Sequence, residues 1–166
     1  MAELIRVGVL TISDRCFGGV QADLSGPAIQ AALPTEQFVV ALQGIVPDEK
    51  RLIADTLRRW CDAYHCDVIL TTGGTGFSPR DVTPEATRKI IQREALNLSQ
   101  FVLWEGLKQT PFAALSRGIA GLRGATLIVN LPGSPQGARE GTECLLPLLP
   151  HAVDVALRRE TGHPAG

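Results

Sequence analysis

Three features of this sequence predict an α/β fold with a mostly parallel sheet and helices on both faces. Apolar, β-branched runs recur at 5–12 (IRVGVLTI), 37–46 (QFVVALQGIV), 67–72 (DVILTT) and 125–130 (ATLIVN). Each has the length of a strand, bounded by turn or polar residues. The intervals between them carry helical spacing, the alternation that brings strands into a parallel sheet. The third run lacks polar alternation, as suits a strand covered on both faces.

The strand at 5–12 ends at Ser13-Asp14-Arg15, and residues 13–27 (SDRCFGGVQADLSGP) read as a loop. A short helix over 27–33 follows, closed by Pro34. After the strand at 37–46, residues 47–65 place Ile53, Leu57, Trp60, Cys61 and Tyr64 on one helical face. Arg51, Asp55, Arg58, Arg59 and Asp62 fall on the others, so this helix is amphipathic. Thr83 is placed to cap a further helix, with Pro84 at its first position and the run 86–94 continuing it. Residues 97–109 also read as helix, with Phe101, Trp104 and Leu107 as a core-facing stripe. The tail from Ala138 to Arg159 is mostly helical, broken or kinked at Pro147 and Pro150. Residues 1–166 read as a single domain.

Composition narrows the function classes. Apolar residues make up 45% of the chain, enough for a substantial core. Net charge is -1 with acids and bases interspersed, so the basic stripe of a nucleic-acid binder is missing. The N-terminal apolar run is short and interrupted by Arg6 and Gly8, which fits neither a signal peptide nor a membrane span. Cys16, Cys61, Cys66 and Cys144 form no CxxC pair and read as reduced, partly buried thiols. A cytoplasmic protein is the expectation.

The stretch 71–86, TTGGTGFSPRDVTPEA, holds the strongest chemical signal. Gly73, Gly74, Thr75 and Gly76 follow a strand and precede a helix, where α/β proteins bind ligands. Positions without side chains let an oxyanion approach backbone N–H groups, and the next helix offers its positive end. A Walker A loop would require a lysine that is not there, and the dinucleotide fingerprint would require glycine where Pro79 stands. Asp81 is either a turn-forming acid or a magnesium ligand. Asp48, at the end of the second strand, is either a helix cap or its partner; both acids would face one crevice. Together with the loop they point to a nucleotide–metal site. His65, His151 and His163 are scattered without metal-ligand spacing. No GxSxG occurs, and Arg80, Arg117 and Arg123, in loop-like segments, are either phosphate contacts or, taken singly, solvated surface charges.

These motifs, with GVLTISDR, LSGP, VPDE, TPFAALSRGIAGLRG and NLPGSPQGARE, resemble the MogA/MoaB family of molybdenum-cofactor biosynthesis proteins from about Ile5 to Leu157. The resemblance implies a three-layer α/β/α sandwich, a homotrimer, and an enzyme that joins the AMP part of Mg-ATP to the phosphate of molybdopterin. Asp48 and Asp81 correspond to the family's acidic pair, tied to Mg2+ and catalysis, and Gly73, Gly74, Thr75 and Gly76 to its nucleotide cradle. Ser13, Asp14, Ser116, Asn130, Pro132, Gly133 and Ser134 correspond to further ligand-binding positions around the pocket. Gln136 stands where many relatives carry lysine, and residues 16–24 depart from the family pattern. The expectation is a chain without a trailing molybdate-inserting domain, with a separate insertase as partner. The alternatives are a non-catalytic molybdopterin carrier or scaffold, and a MoaB-type or tungsten-cofactor counterpart.

Overall fold

The computed structural model describes residues 3–157. Six strands form one sheet in the order β2-β1-β3-β6-β5-β4. The parallel part comprises β1 (Ile5–Ile12), β2 (Phe38–Val46), β3 (Val68–Thr72) and β6 (Thr126–Leu131). These are the four runs expected from sequence. Two short strands extend the sheet: β5 (Ala120–Arg123) pairs antiparallel with β6, and β4 (Arg93–Glu94) pairs antiparallel with β5.

Side-chain alternation along the central strands sends residues into two separate cores. Val7, Val9, Val68, Leu70, Leu127, Val129 and Leu131 pack on one face, against Ile29, Val102, Ala138, Leu145 and Val153. These come from α2 (Ser25–Ala32), α5 (Leu96–Leu107), α6 (Pro135–Leu145) and α7 (Leu149–Ala156). Leu10, Ile12, Ile69 and Ile128 point the other way, onto Ile53, Leu57, Trp60, Ala86 and Ile90. Those belong to α3 (Lys50–Asp62) and α4 (Thr83–Ile90). The three-layer sandwich therefore follows from period-two alternation in strands that are apolar on both faces.

Several boundaries differ from expectation, each for a local reason. Residues 14–17 form a four-residue helix, α1 (Asp14–Phe17), capped by the Ser13 side chain, which accepts from the Cys16 amide at 3.1 Å. Helix α3 begins at Lys50 and ends at Asp62, so Tyr64 lies beyond it and is exposed. Helix α4 stops at Ile90, because residues 93–94 turn out to pair with β5. Thr83 does not cap α4: its hydroxyl donates to the Gly73 carbonyl at 2.9 Å. The tail is two helices separated at residues 146–148, with 158 and 159 outside the described residues. In α5 only Val102 is buried, while Trp104 is 64% exposed, so the expected core stripe is instead surface.

All four cysteines are free thiols, Cys61 and Cys66 buried and the others half-buried. No helix among the described residues is long and apolar enough to cross a membrane.

Candidate functional site

Parallel register places the expected site segments at one sheet edge. Thr11 is level with Ile45 on β2 and with Thr72 on β3, and Thr72 is level with Leu131 on β6. The chain therefore leaves four strands side by side at Ser13-Asp14, Pro47-Asp48, Gly73-Gly74 and Pro132-Gly133. Helix-covered parallel sheets bind ligands at this edge.

The glycine loop is shaped for close approach. Gly73 and Gly74 have φ of +95° and +67°, in the region that side-chain-bearing residues rarely adopt. A Cβ on Gly73 would sit 2.2 Å from the Ile12 carbonyl oxygen. One on Gly74 would sit 2.3 Å from Thr83 Oγ1 and 3.0 Å from Asp48 Oδ1. Among the described residues, the amides of Gly74, Thr75, Gly76 and Phe77 donate to no protein acceptor. Four successive free N–H groups beside left-handed glycines make a concavity suited to an anion.

The two predicted acids flank this loop. Asp48 Oδ2 accepts from the Asp14 amide at 2.9 Å, and the Asp48 amide donates to Asp14 Oδ1 at 3.0 Å. Asp48 is not the cap of α3; Glu49 occupies that position. Its Oδ1 is buried and has no partner. Burial holds the Asp48 carboxyl above its ordinary pKa of 3.8, and the nearby Asp14 and Asp81 carboxylates add to this. Asp81 sits at the other end of the loop, its Oδ2 2.8 Å from where a Gly76 Cβ would be. That oxygen accepts from the Ser78 amide at 3.0 Å, the local turn anticipated from sequence. No three His, Cys, Asp or Glu side chains gather as a metal-binding group among the described residues. Two carboxylates, one with a buried unpartnered oxygen, fit a magnesium ion that completes its shell with phosphate oxygens and water.

Around this centre the remaining predicted residues divide by task. Asp14 receives a bidentate pair from Arg80, 2.9 Å from both Nε and Nη2, which lowers its pKa. The Thr72 hydroxyl donates to the Pro132 carbonyl at 2.7 Å, and the Ser25 hydroxyl donates to the Gly133 carbonyl at 2.8 Å. A Cβ on Gly133 would lie 3.3 Å from Gly73 Cα, so the two loops are stacked. Asn130 is buried; its Nδ2 donates to Thr71 and Thr87 and its Oδ1 accepts from the Ile119 amide. This side chain joins β3, α4 and the segment entering β5. Ser134 caps α6 through the Gly137 amide at 3.0 Å. Ser116, Pro132 and Ser134 line a cavity of about 310 Å³ that also includes Phe112, Thr110 and Gln136. Within it, Gln136 donates to Glu140 at 2.9 Å.

The three arginines read as solvated charges are all engaged. Arg80 holds Asp14, and Arg123 is bidentate to Asp62 with a third bond to the Ile90 carbonyl. Arg117 is the residue sequence reasoning missed most clearly. Its backbone N–H donates to Thr75 O at 2.7 Å, its Nε to Gly76 O at 2.8 Å and its Nη2 to Asp81 O at 2.8 Å. Its Nη1 pairs with Glu85, whose carboxyl is held below its ordinary pKa by that arginine. Its loop-like setting beside Ser116 marks it in the sequence as a candidate phosphate contact, but not as the partner of three backbone carbonyls.

Fold and site together define a three-layer α/β protein with a glycine-lined concavity and two acids at the carboxyl edge of its sheet. Residues 8–151 match the family described as "Probable molybdopterin binding domain", and the chain belongs to it. It is 49% identical over 165 residues to the molybdenum cofactor synthesis protein cinnamon of Drosophila melanogaster. That match takes in 96% of this chain but 28% of the fly protein, so the chain spans little more than a quarter of that relative. It is 45% identical over 158 residues to a molybdopterin adenylyltransferase of Helicobacter pylori, covering 93% of this chain and 89% of that one. The solved structure of the molybdopterin biosynthesis enzyme MoaB from Thermus thermophilus superposes with a TM-score of 0.88 at 52% identity. It covers 92% of this chain and 96% of its own.

Proposed function

We propose that this chain is a molybdopterin adenylyltransferase that transfers AMP from Mg-ATP to the phosphate of molybdopterin. A molybdopterin phosphate oxygen attacks the α-phosphorus of ATP, the bond from that phosphorus to the β-bridging oxygen breaks, and pyrophosphate leaves. The observation that carries this reading is the run of four free amides, Gly74 to Phe77, between Asp48 and Asp81.

The chemistry asks for alignment and charge stabilisation more than for proton transfer. The attacking phosphate is already anionic near neutral pH, which accounts for a site built without a catalytic histidine or cysteine. Gly73 and Gly74 admit the phosphates to backbone donors, whose fixed direction needs no reorganisation as charge shifts. Asp48 and Asp81 would hold magnesium, with the buried Asp48 Oδ1 turned to it. Magnesium, when bound, neutralises phosphate charge and polarises the phosphoryl oxygens. Arg80 and Asp14 close one side of the site, and the cavity beside Ser116, Pro132 and Ser134 has room for the organic part of a substrate.

The same reading includes a homotrimer, a cytoplasmic setting and hand-over of the adenylated product to a separate molybdate insertase. The exposed apolar side chains of Trp104, Leu107, Phe112 and Leu115 support self-association. A MoaB-type counterpart doing the same chemistry is the second reading, favoured by the 52% identity to the Thermus protein. Incubating the protein with Mg-ATP and molybdopterin tests the proposal: adenylated molybdopterin and pyrophosphate should appear together. Folded protein that binds molybdopterin but gives no product would leave the carrier reading instead.

A further inference from the structure

We infer that Arg117 is a positioning residue for the anion cradle: it aims the loop's N–H groups by holding the carbonyl on the other side of each peptide. This inference rests on the proposed phosphate-binding role of the loop. A trans peptide is planar, with its C=O and N–H pointing in opposite directions, and no cis bond occurs among the described residues. The Arg117 amide takes the Thr75 carbonyl, which turns the Gly76 N–H away from Arg117. Its Nε takes the Gly76 carbonyl, which does the same for the Phe77 N–H. Two of the four free cradle donors thus have their direction set by one residue.

The same guanidinium reaches the carbonyl of Asp81 through Nη2, fixing the backbone that carries the second acid. Glu85 holds the remaining nitrogen from the first turn of α4. Arg117 therefore links the glycine loop, the acid and the following helix, at positions 32 to 41 residues before it in the chain. A planar fork of fixed N–H donors suits this task; a lysine ammonium on a flexible stem reaches one or two of the carbonyls without fixing their planes. Each side-chain nitrogen of Arg117 has a protein partner in the loop, the acid's backbone or α4, which suits it to orient the cradle.

The test uses Arg117→Lys and Arg117→Ala with two readouts, pyrophosphate binding by calorimetry and turnover with Mg-ATP and molybdopterin. Wild type that neither binds pyrophosphate nor turns over would overturn the phosphate-binding reading itself. Given an active wild type, both variants should lose turnover by about 10²-fold, the scale of a misdirected oxyanion donor. Pyrophosphate affinity should fall at least about tenfold, while the KM for molybdopterin stays within about threefold. Adding free guanidinium to Arg117→Ala should recover part of the loss. If Arg117→Ala fails to fold, Arg117→Lys decides alone. A variant with lowered thermal stability but wild-type turnover and pyrophosphate affinity per folded molecule makes Arg117 merely structural and overturns the inference.

Discussion

Asp14 and Asp48 exchange hydrogen bonds, the amide of each donating to the carboxylate of the other at 2.9 and 3.0 Å. They stand 34 residues apart, at the ends of neighbouring parallel strands, and this exchange locks the two exits together. One consequence is that Asp48 has one oxygen committed and one, Oδ1, buried without a partner next to Gly74. Unpaired buried carboxylate oxygens are costly, and a cation between Asp48 and Asp81 would relieve that cost.

Replacing Asp48 by Asn should therefore change the pH dependence of metal use. Burial raises the Asp48 pKa above 3.8, and the protonated acid is a poor magnesium ligand. Magnesium-dependent ATP affinity should be full near neutrality and fall as pH drops through that raised pKa. In Asp48→Asn the neutral-pH affinity should be lower and the acid-side fall smaller, because the Asp48 carboxyl no longer contributes to it. For stability the sign reverses. A carboxyl whose pKa rises on folding favours the native state below 3.8 and loses that contribution as pH climbs. The variant should then unfold at no lower temperature than wild type at neutral pH, as scanning calorimetry would record.

Asp81→Ala should reduce turnover at least about 10²-fold with the fold intact. The one bond the carboxylate makes, to the Ser78 amide, is worth about 1 kcal/mol. A small loss of stability with full loss of activity is the expected pattern in circular dichroism and product assays. Unchanged catalysis would remove Asp81 from the mechanism.

Gly73→Ala and Gly124→Ala compare the same kind of backbone in two settings. Gly124 has φ +56° and open space around its missing Cβ, so alanine there should cost about 1–2 kcal/mol. At Gly73 the Cβ would meet the Ile12 carbonyl oxygen at 2.2 Å, and strain plus overpacking should cost about 3 kcal/mol or more. Urea denaturation of the two variants measures the difference.

Trp104→Glu tests the proposed trimer. Trp104 is a large apolar side chain that is 64% exposed, and a carboxylate there should shift light-scattering mass from trimer toward monomer. An unchanged mass would place the interface elsewhere.

Legibility in the sequence followed the range of the forces involved. The four parallel strands and α3 were readable because β-branched runs and the Ile53, Leu57, Trp60 face express burial locally. Strand β4 is two residues, Arg93 and Glu94, and exists only because β5 offers it an edge. The Thr83 hydroxyl could accept from the first amides of the helix or donate to a carbonyl nearby, and in the fold it donates to Gly73. Asp48 and Asp81 could be singled out because each follows a strand and precedes a helix. The role of Arg117 could not, since Gly76, Asp81 and Glu85 come within its reach only in the folded chain. Trp104 misled for a related reason: an apolar helical stripe reads the same whether it ends in the core or on the surface.

The central claim is that phosphate groups lie on the glycine loop between the two acids. A crystal structure with Mg-ATP tests it most directly. The account predicts phosphate oxygens within hydrogen-bond distance of the Gly74 to Phe77 amides, and the metal bridging them to Asp48 and Asp81. Phosphates bound elsewhere, with those four amides facing only water, would contradict it.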